Sequence, residues 1–130
     1  MGRLDKEAIG DRMLLIMQCL WEAGRDETVA EITEQLNKKC GSNLSRSGIY
    51  SMLRMLVEKG YLEELPKKPR EQFCFRVLIS EEEYRVREIK RLNSSVFRGS
   101  ASALFATFLK SGISQEELNE IKEILNKNNG

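Results

Sequence analysis

The stretch SRSGIYSMLRMLVEKGYLEELPKKPREQFCFRV, Ser45 to Val77, decides how this chain folds. Its first half is helical in period. At about 3.6 residues per turn, Ile49, Met52, Leu53, Leu56 and Val57 fall on one side, and Arg46, Ser47, Tyr50, Ser51 and Arg54 fall on the other. Gly60 ends the helix, and the period then shortens. Tyr61 and Leu62 open a strand, and Phe73, Phe75 and Val77 alternate with Cys74 and Arg76 in a second one. Between them, Pro66 and Pro69 forbid helix, which leaves Lys67, Lys68 and Arg70 at the tip of a hairpin.

Working outward, VAEITEQLNKK (Val29–Lys39) places Val29, Ile32 and Leu36 on one helical face. Thr28 is placed to cap it, with Glu31 completing a capping box. Cys40, Gly41, Ser42 and Asn43 make the short polar turn to the next helix, so the two form a helix-turn-helix and the basic hairpin is its wing. Ahead of them, Ile9, Met13, Ile16 and Leu20 predict an amphipathic helix from about Lys6 to Ala23, stopped by Gly24.

Beyond the wing, Ser80 and Glu83 open a helix expected to run to about Phe97, with Val86, Ile89 and Val96 inward. After Gly99 a helix from about Ser102 to Lys110 is apolar nearly all round. Gly112 ends it, and Ser114 with Glu117 caps a last helix striped by Leu118, Ile121, Ile124 and Leu125. The tail NKNNG is expected to fray. The reading is therefore mainly α with a small β-hairpin wing. Residues 1–79 form a winged helix-turn-helix DNA-binding domain, and residues 80–130 form a helical dimerisation region.

Composition narrows the function. Hydrophobic residues are 41% of the chain and aromatics only 7%, which suits a core of Leu, Ile, Met and Val. There is no histidine, which removes Ser-His and Cys-His nucleophile pairs, imidazole bases and His-ligated zinc; aspartate stands only at 5, 11 and 26. No catalytic residues, metal or cofactor are expected. Cys19, Cys40 and Cys74 are odd in number and widely spaced, the pattern of free thiols. The N-terminal charges Arg3, Asp5, Lys6, Glu7, Asp11 and Arg12 break any signal-peptide run, so a cytoplasmic location is expected.

The formal net charge of +1 conceals an uneven distribution. Residues 1–37 carry four basic against eight acidic residues, residues 38–76 carry nine against four, and residues 77–130 balance at eight each. A cationic middle third suits an anionic polymer. Arginine reads guanine edges in the major groove, and Ser, Tyr and helix N-termini hold phosphates. Arg46, Ser47, Tyr50, Ser51, Arg54, Lys67, Lys68 and Arg70 are thus the candidate contacts to duplex DNA. The rival is a protein- or RNA-binding winged helix in which the basic hairpin is ordinary surface. Leu104, Phe105, Phe108 and Leu109 leave their helix apolar on too many sides for a lone surface helix, which points to a homodimer.

Three runs carry a family resemblance: LIMQCLWEAG (Leu15–Gly24), LSRSGIYSMLRMLVEKGYL (Leu44–Leu62) and FCFRVLISEEEYRVREIKRL (Phe73–Leu92). With VFRGSASALFATFL (Val96–Leu109) and ISQEELNEIKEILNK (Ile113–Lys127), they make the chain resemble the penicillinase-repressor family of the BlaI/MecI type over nearly its whole length. The resemblance implies a repressor of dyad-symmetric operators, dimerised by the C-terminal arm, to which Val96, Leu118 and Ile121 belong with the residues above. It also implies relief of repression when a membrane sensor protease cleaves the arm. The matching bond is Thr107–Phe108, with Thr where the family has Asn. The C-x-C clusters of copper-responsive relatives are absent after Cys74.

Overall fold

The computed structural model describes residues 8–129, in two compact units, one ending at Tyr84 and the other beginning at Arg85. The first is the helix-turn-helix and its wing. Helix α1 spans Asp11–Ala23, strand β1 Glu27–Thr28, helix α2 Val29–Cys40, helix α3 Arg46–Glu58, and strands β2 and β3 Leu62–Glu64 and Cys74–Val77. Helix α4, Glu81–Ser95, carries Tyr84 at the end of this unit; helices α5 (Ala101–Lys110) and α6 (Gln115–Asn129) follow in the second.

The expected start of α1 at Lys6 lies outside the described residues. Residues 8–10 are not helical, and the helix begins at Asp11 behind an extended Gly10. Asp11 in the first turn favours that start, since a carboxylate is stabilised at the positive end of a helix. Gly24, in the left-handed region at φ 66°, closes α1 with a backbone N–H to Leu20. Helix α2 opens with the expected capping box: the Thr28 hydroxyl accepts from the Glu31 N–H, and the Glu31 carboxylate accepts from the Thr28 N–H at 2.9 Å.

The sheet has three strands where two were expected, in the order β1-β3-β2, all antiparallel. Thr28 pairs with Cys74 and Glu27 with Phe75, so a two-residue strand at the head of α2 is bound to the far side of the wing. Glu27 is fully buried there. Its Oε2 accepts from Gln35 at 2.8 Å and Arg25 at 3.2 Å, while Oε1 has no partner.

The core lies wholly in the first unit. Ile16, Met17 and Leu20 of α1, Ile32 and Leu36 of α2, and Ile49, Leu53 and Leu56 of α3 meet Tyr61, Leu62 and Phe75 of the wing, each at 1% exposure or less. Met52 and Val57 reach only half-burial at its margin. Ile79 and Tyr84 close the far side. The Trp21 indole N–H donates to the Ile79 carbonyl at 2.9 Å, and its ring lies 5.6 Å from that of Tyr84.

The second unit differs from expectation in three respects. Helix α4 ends at Ser95, short of Phe97, and the chain turns through Arg98 and Gly99, both at positive φ. Helix α6 runs to Asn129, so the Asn-Lys-Asn-Asn tail continues the helix. Val86 and Ile89 of α4 and Val96 just past its end, expected inward, are 45%, 53% and 63% exposed, with no cover among the described residues.

Candidate nucleic-acid interface

The candidate surface starts with how α3 is held. Three fully buried residues, Ile49, Leu53 and Leu56, fix its inner face, and Ser45 caps it by accepting from the Gly48 N–H at 3.1 Å. Gly48 suits that cap: a Cβ there would come within 3.2 Å of the Ser45 hydroxyl. Arg46 and Ser47 then stand exposed in the first turn, and Ser51 one turn on donates to the Ser47 carbonyl at 3.1 Å. No acidic residue occupies that turn, whereas α1, α2, α4 and α6 each have one or more in theirs. The positive end of α3 is left uncompensated.

The wing supplies the second wall. At its tip Lys67, Lys68 and Arg70 are all exposed, and Arg70 takes a left-handed φ of 75°, which costs a non-glycine residue about 1–2 kcal/mol. Glu71 holds the turn through the Lys68 N–H at 2.8 Å. Between wing and α3 lies a shallow cavity of about 360 Å³ lined by Val29, Arg46, Ser47, Tyr50, Gln72 and Phe73.

The eight candidate contacts divide by partner. Arg46, Lys67, Lys68 and Arg70 have no ion-pair partner among the described residues. Arg25, Lys39, Arg76 and Arg91 all have one. Ser47 and Ser51 are exposed. Tyr50 is half-buried, its ring 5.2 Å from Phe73 and 6.3 Å from Phe75, while the Lys67 ammonium sits 4.8 Å over the Phe73 ring. Its body thus joins helix to wing. Arg54 is also engaged: its Nη1 lies 2.6 Å from Oε1 of Glu64, the last residue of β2. The helical period that placed Tyr50 and Arg54 on the outer face carried no trace of these wing partners.

Elsewhere the chemistry is quiet. Cys19 is buried, Cys74 half-buried and Cys40 exposed, all three as free thiols; burial pushes both Cys19 and Cys74 upward, away from the reactive thiolate. Among the described residues no group of three or more Cys, Asp or Glu could hold a metal ion, and no helix is long and apolar enough to cross a membrane.

In the arm, Leu104, Leu118 and Ile121 are half-buried, and Val96, Phe105, Phe108 and Leu109 are exposed. The Phe105 and Phe108 rings stack at 6.4 Å. Thr107 and Phe108 both lie inside α5. From 85 to 128 no described side chain is buried.

A helix-turn-helix, a three-stranded sheet with its wing and an exposed cationic face on α3 define the winged-helix class. The fold is shared with RosR of H. salinarum, which matches at 15% identity over 92% of this chain and 93% of its own, with a TM-score of 0.52. A RosR chain in a complex structure matches at 16% identity over 85% and 98%, with a TM-score of 0.55. The penicillinase repressor family model matches residues 9–127, so the chain belongs to that family, and it is a transcriptional repressor. The methicillin resistance regulatory protein MecI of Staphylococcus aureus is 26% identical over 116 residues, covering 86% of this chain and 88% of its own.

Proposed function

We propose that this repressor binds a dyad-symmetric DNA operator as a homodimer, reading bases with α3 and gripping the flanking backbone with the wing. One observation carries the DNA-facing half. Four exposed cations, Arg46 at the first turn of α3 and Lys67, Lys68 and Arg70 at the wing tip, gather on one side of the winged helix with no carboxylate partner among the described residues, at a helix end with no acid of its own. Arg46, Ser47, Ser51 and Arg54 face the base edges, Tyr50 braces the helix against the wing, and Lys67, Lys68 and Arg70 neutralise phosphates.

The dimer rests on the arm. Phe105, Phe108 and Leu109 of α5 and Ile124 and Leu125 of α6 remain at least 40% exposed in the single chain. A second copy covering this apolar surface would present two recognition helices to half-sites one helical turn, about 34–36 Å, or a multiple apart. Selecting duplexes from a randomised pool tests the reading. Enrichment of a pseudo-palindrome supports it. Binding that is indifferent to duplex sequence would favour a protein- or RNA-binding module instead.

The proposed operator is of the β-lactam-resistance type, with repression relieved by a membrane sensor protease cutting Thr107–Phe108. That bond is helical, and the Thr107 carbonyl accepts from the Ser111 N–H at 3.1 Å, so cleavage needs local unwinding of α5. Mass spectrometry of the protein from β-lactam-treated cells is the test. A chain that stays intact while its target genes switch on rules the route out.

A further inference from the structure

The two arginines on the outer face of α3 are held differently. Arg46 has no ion-pair partner among the described residues, whereas Arg54 lies 2.6 Å from Glu64. Glu64 is well placed to restrain. It ends a strand anchored by the almost fully buried Leu62, its backbone registers with buried Phe75, and its side chain is only 14% exposed. The Arg54 side chain is 46% exposed, so one edge of its guanidinium fork is occupied while the rest stays open. Glu58, one turn on in α3, adds a weaker attraction from an exposed position.

A carboxylate beside a DNA-facing surface repels phosphate, so its presence weakens binding to every sequence unless it confers something in return. Resting on the reading of α3 and the wing as the DNA-binding surface, we infer that Glu64 is a specificity-determining positioning residue. It holds Arg54 against the wing strand and away from phosphates. Non-cognate duplex then lacks one phosphate contact, while a base edge in the right place can still reach the open edge of the guanidinium. Phosphate contacts carry no sequence information, so suppressing one raises the ratio of operator to non-operator affinity.

The test is a salt series on full-length protein, titrated against the selected operator and a scrambled duplex. Glu64→Gln, which keeps the shape and removes the charge, should steepen the salt dependence on scrambled DNA by about one phosphate contact. It should strengthen scrambled binding about threefold at low salt, with less change on the operator, so that the specificity ratio falls. Glu64→Ala should do the same. Glu63→Gln is the charge control, since Glu63 lies 4.0 Å from Arg76 and does not hold Arg54; it should leave the salt slope unchanged. In an Arg54→Ala background Glu64→Gln should no longer steepen the salt slope or lower the specificity ratio, leaving only a small gain common to both duplexes. A merely structural Glu64 would weaken binding to both duplexes. The inference is overturned if Glu64→Gln leaves slope and ratio unchanged, if Glu63→Gln does as much, or if the change in slope and ratio survives Arg54→Ala. A wild-type protein that enriches no motif overturns the operator reading itself, and the inference with it.

Discussion

Helices α3 and α5 are both short, both striped with large apolar residues, and both capped by a serine. In α3 the stripe Ile49, Leu53 and Leu56 is sealed under α1, α2 and the wing; in α5 no residue is buried. Sequence period therefore fixes that a helix forms and which side is apolar. It does not say whether the chain itself can cover that side. In the first unit three helices and a sheet enclose their apolar faces, whereas α4, α5 and α6 leave Val86, Ile89, Phe105, Phe108, Ile124 and Leu125 open. On the proposed reading, a DNA-binding unit complete in itself and an arm that dimerises separate recognition from assembly.

That separation is sharpest under truncation. A chain shortened after Lys90 keeps Tyr84 and the core, and should fold as a monomer with the recognition surface intact. Losing the second half-site should weaken operator binding by about 100-fold or more, measured by anisotropy, with sedimentation giving the mass. A shortened chain that still dimerises breaks the comparison. Next in size is a paired truncation of side chains. Leu53→Ala should cost about 2–5 kcal/mol of unfolding free energy in denaturant, because it leaves a cavity in a sealed core. Phe108→Ala should leave the Trp21-reported unfolding of the first unit in place and instead raise the concentration at which the dimer dissociates.

Arg46→Ala should then cost about 1–3 kcal/mol on the operator if it contacts a base, against a smaller and sequence-blind loss for Lys67→Ala. Titrating both duplexes separates the two. The smallest effect concerns the head of α2. Thr28→Ala should cost about 1 kcal/mol in thermal melts. The Thr28 backbone hydrogen bond also holds the Glu31 carboxyl below its ordinary value. Its contribution is present above the unfolded carboxyl range, near about pH 4.3, and fades as pH falls through the lower folded value. Thr28→Ala keeps that backbone N–H and should retain most of the acid-side decline, whereas Glu31→Gln should lose it; a decline that survives Glu31→Gln would contradict the link.

What the sequence shows depends on how local the physics is. The boxes at Thr28 and Ser80, the stripe of α3 and the hairpin prolines act within a few residues, and each marked its element. Strand β1 escaped notice because it is two residues long and its partner lies across the helix-turn-helix. The Arg54–Glu64 pair and the Tyr50–Phe73 ring contact were equally invisible, since they join helix to wing through the fold. The inward assignment of Val86, Ile89 and Val96 assumed a cover that the described residues do not supply.

The pairing of Thr28 with Cys74 also bears on how the protein is made. The residue that caps α2 is the residue that meets the last strand of the sheet, so the head of α2 is fully placed only when β3 arrives. On the ribosome, a nascent chain ending at Gly60 has its two central helices but no wing and no closing strand. The DNA-facing surface is expected to form in a single late step, once Val77 has left the exit tunnel, because a closure of this length must precede the contacts that reward it. On the proposed reading, an incompletely synthesised repressor would then be no competitor for the operator.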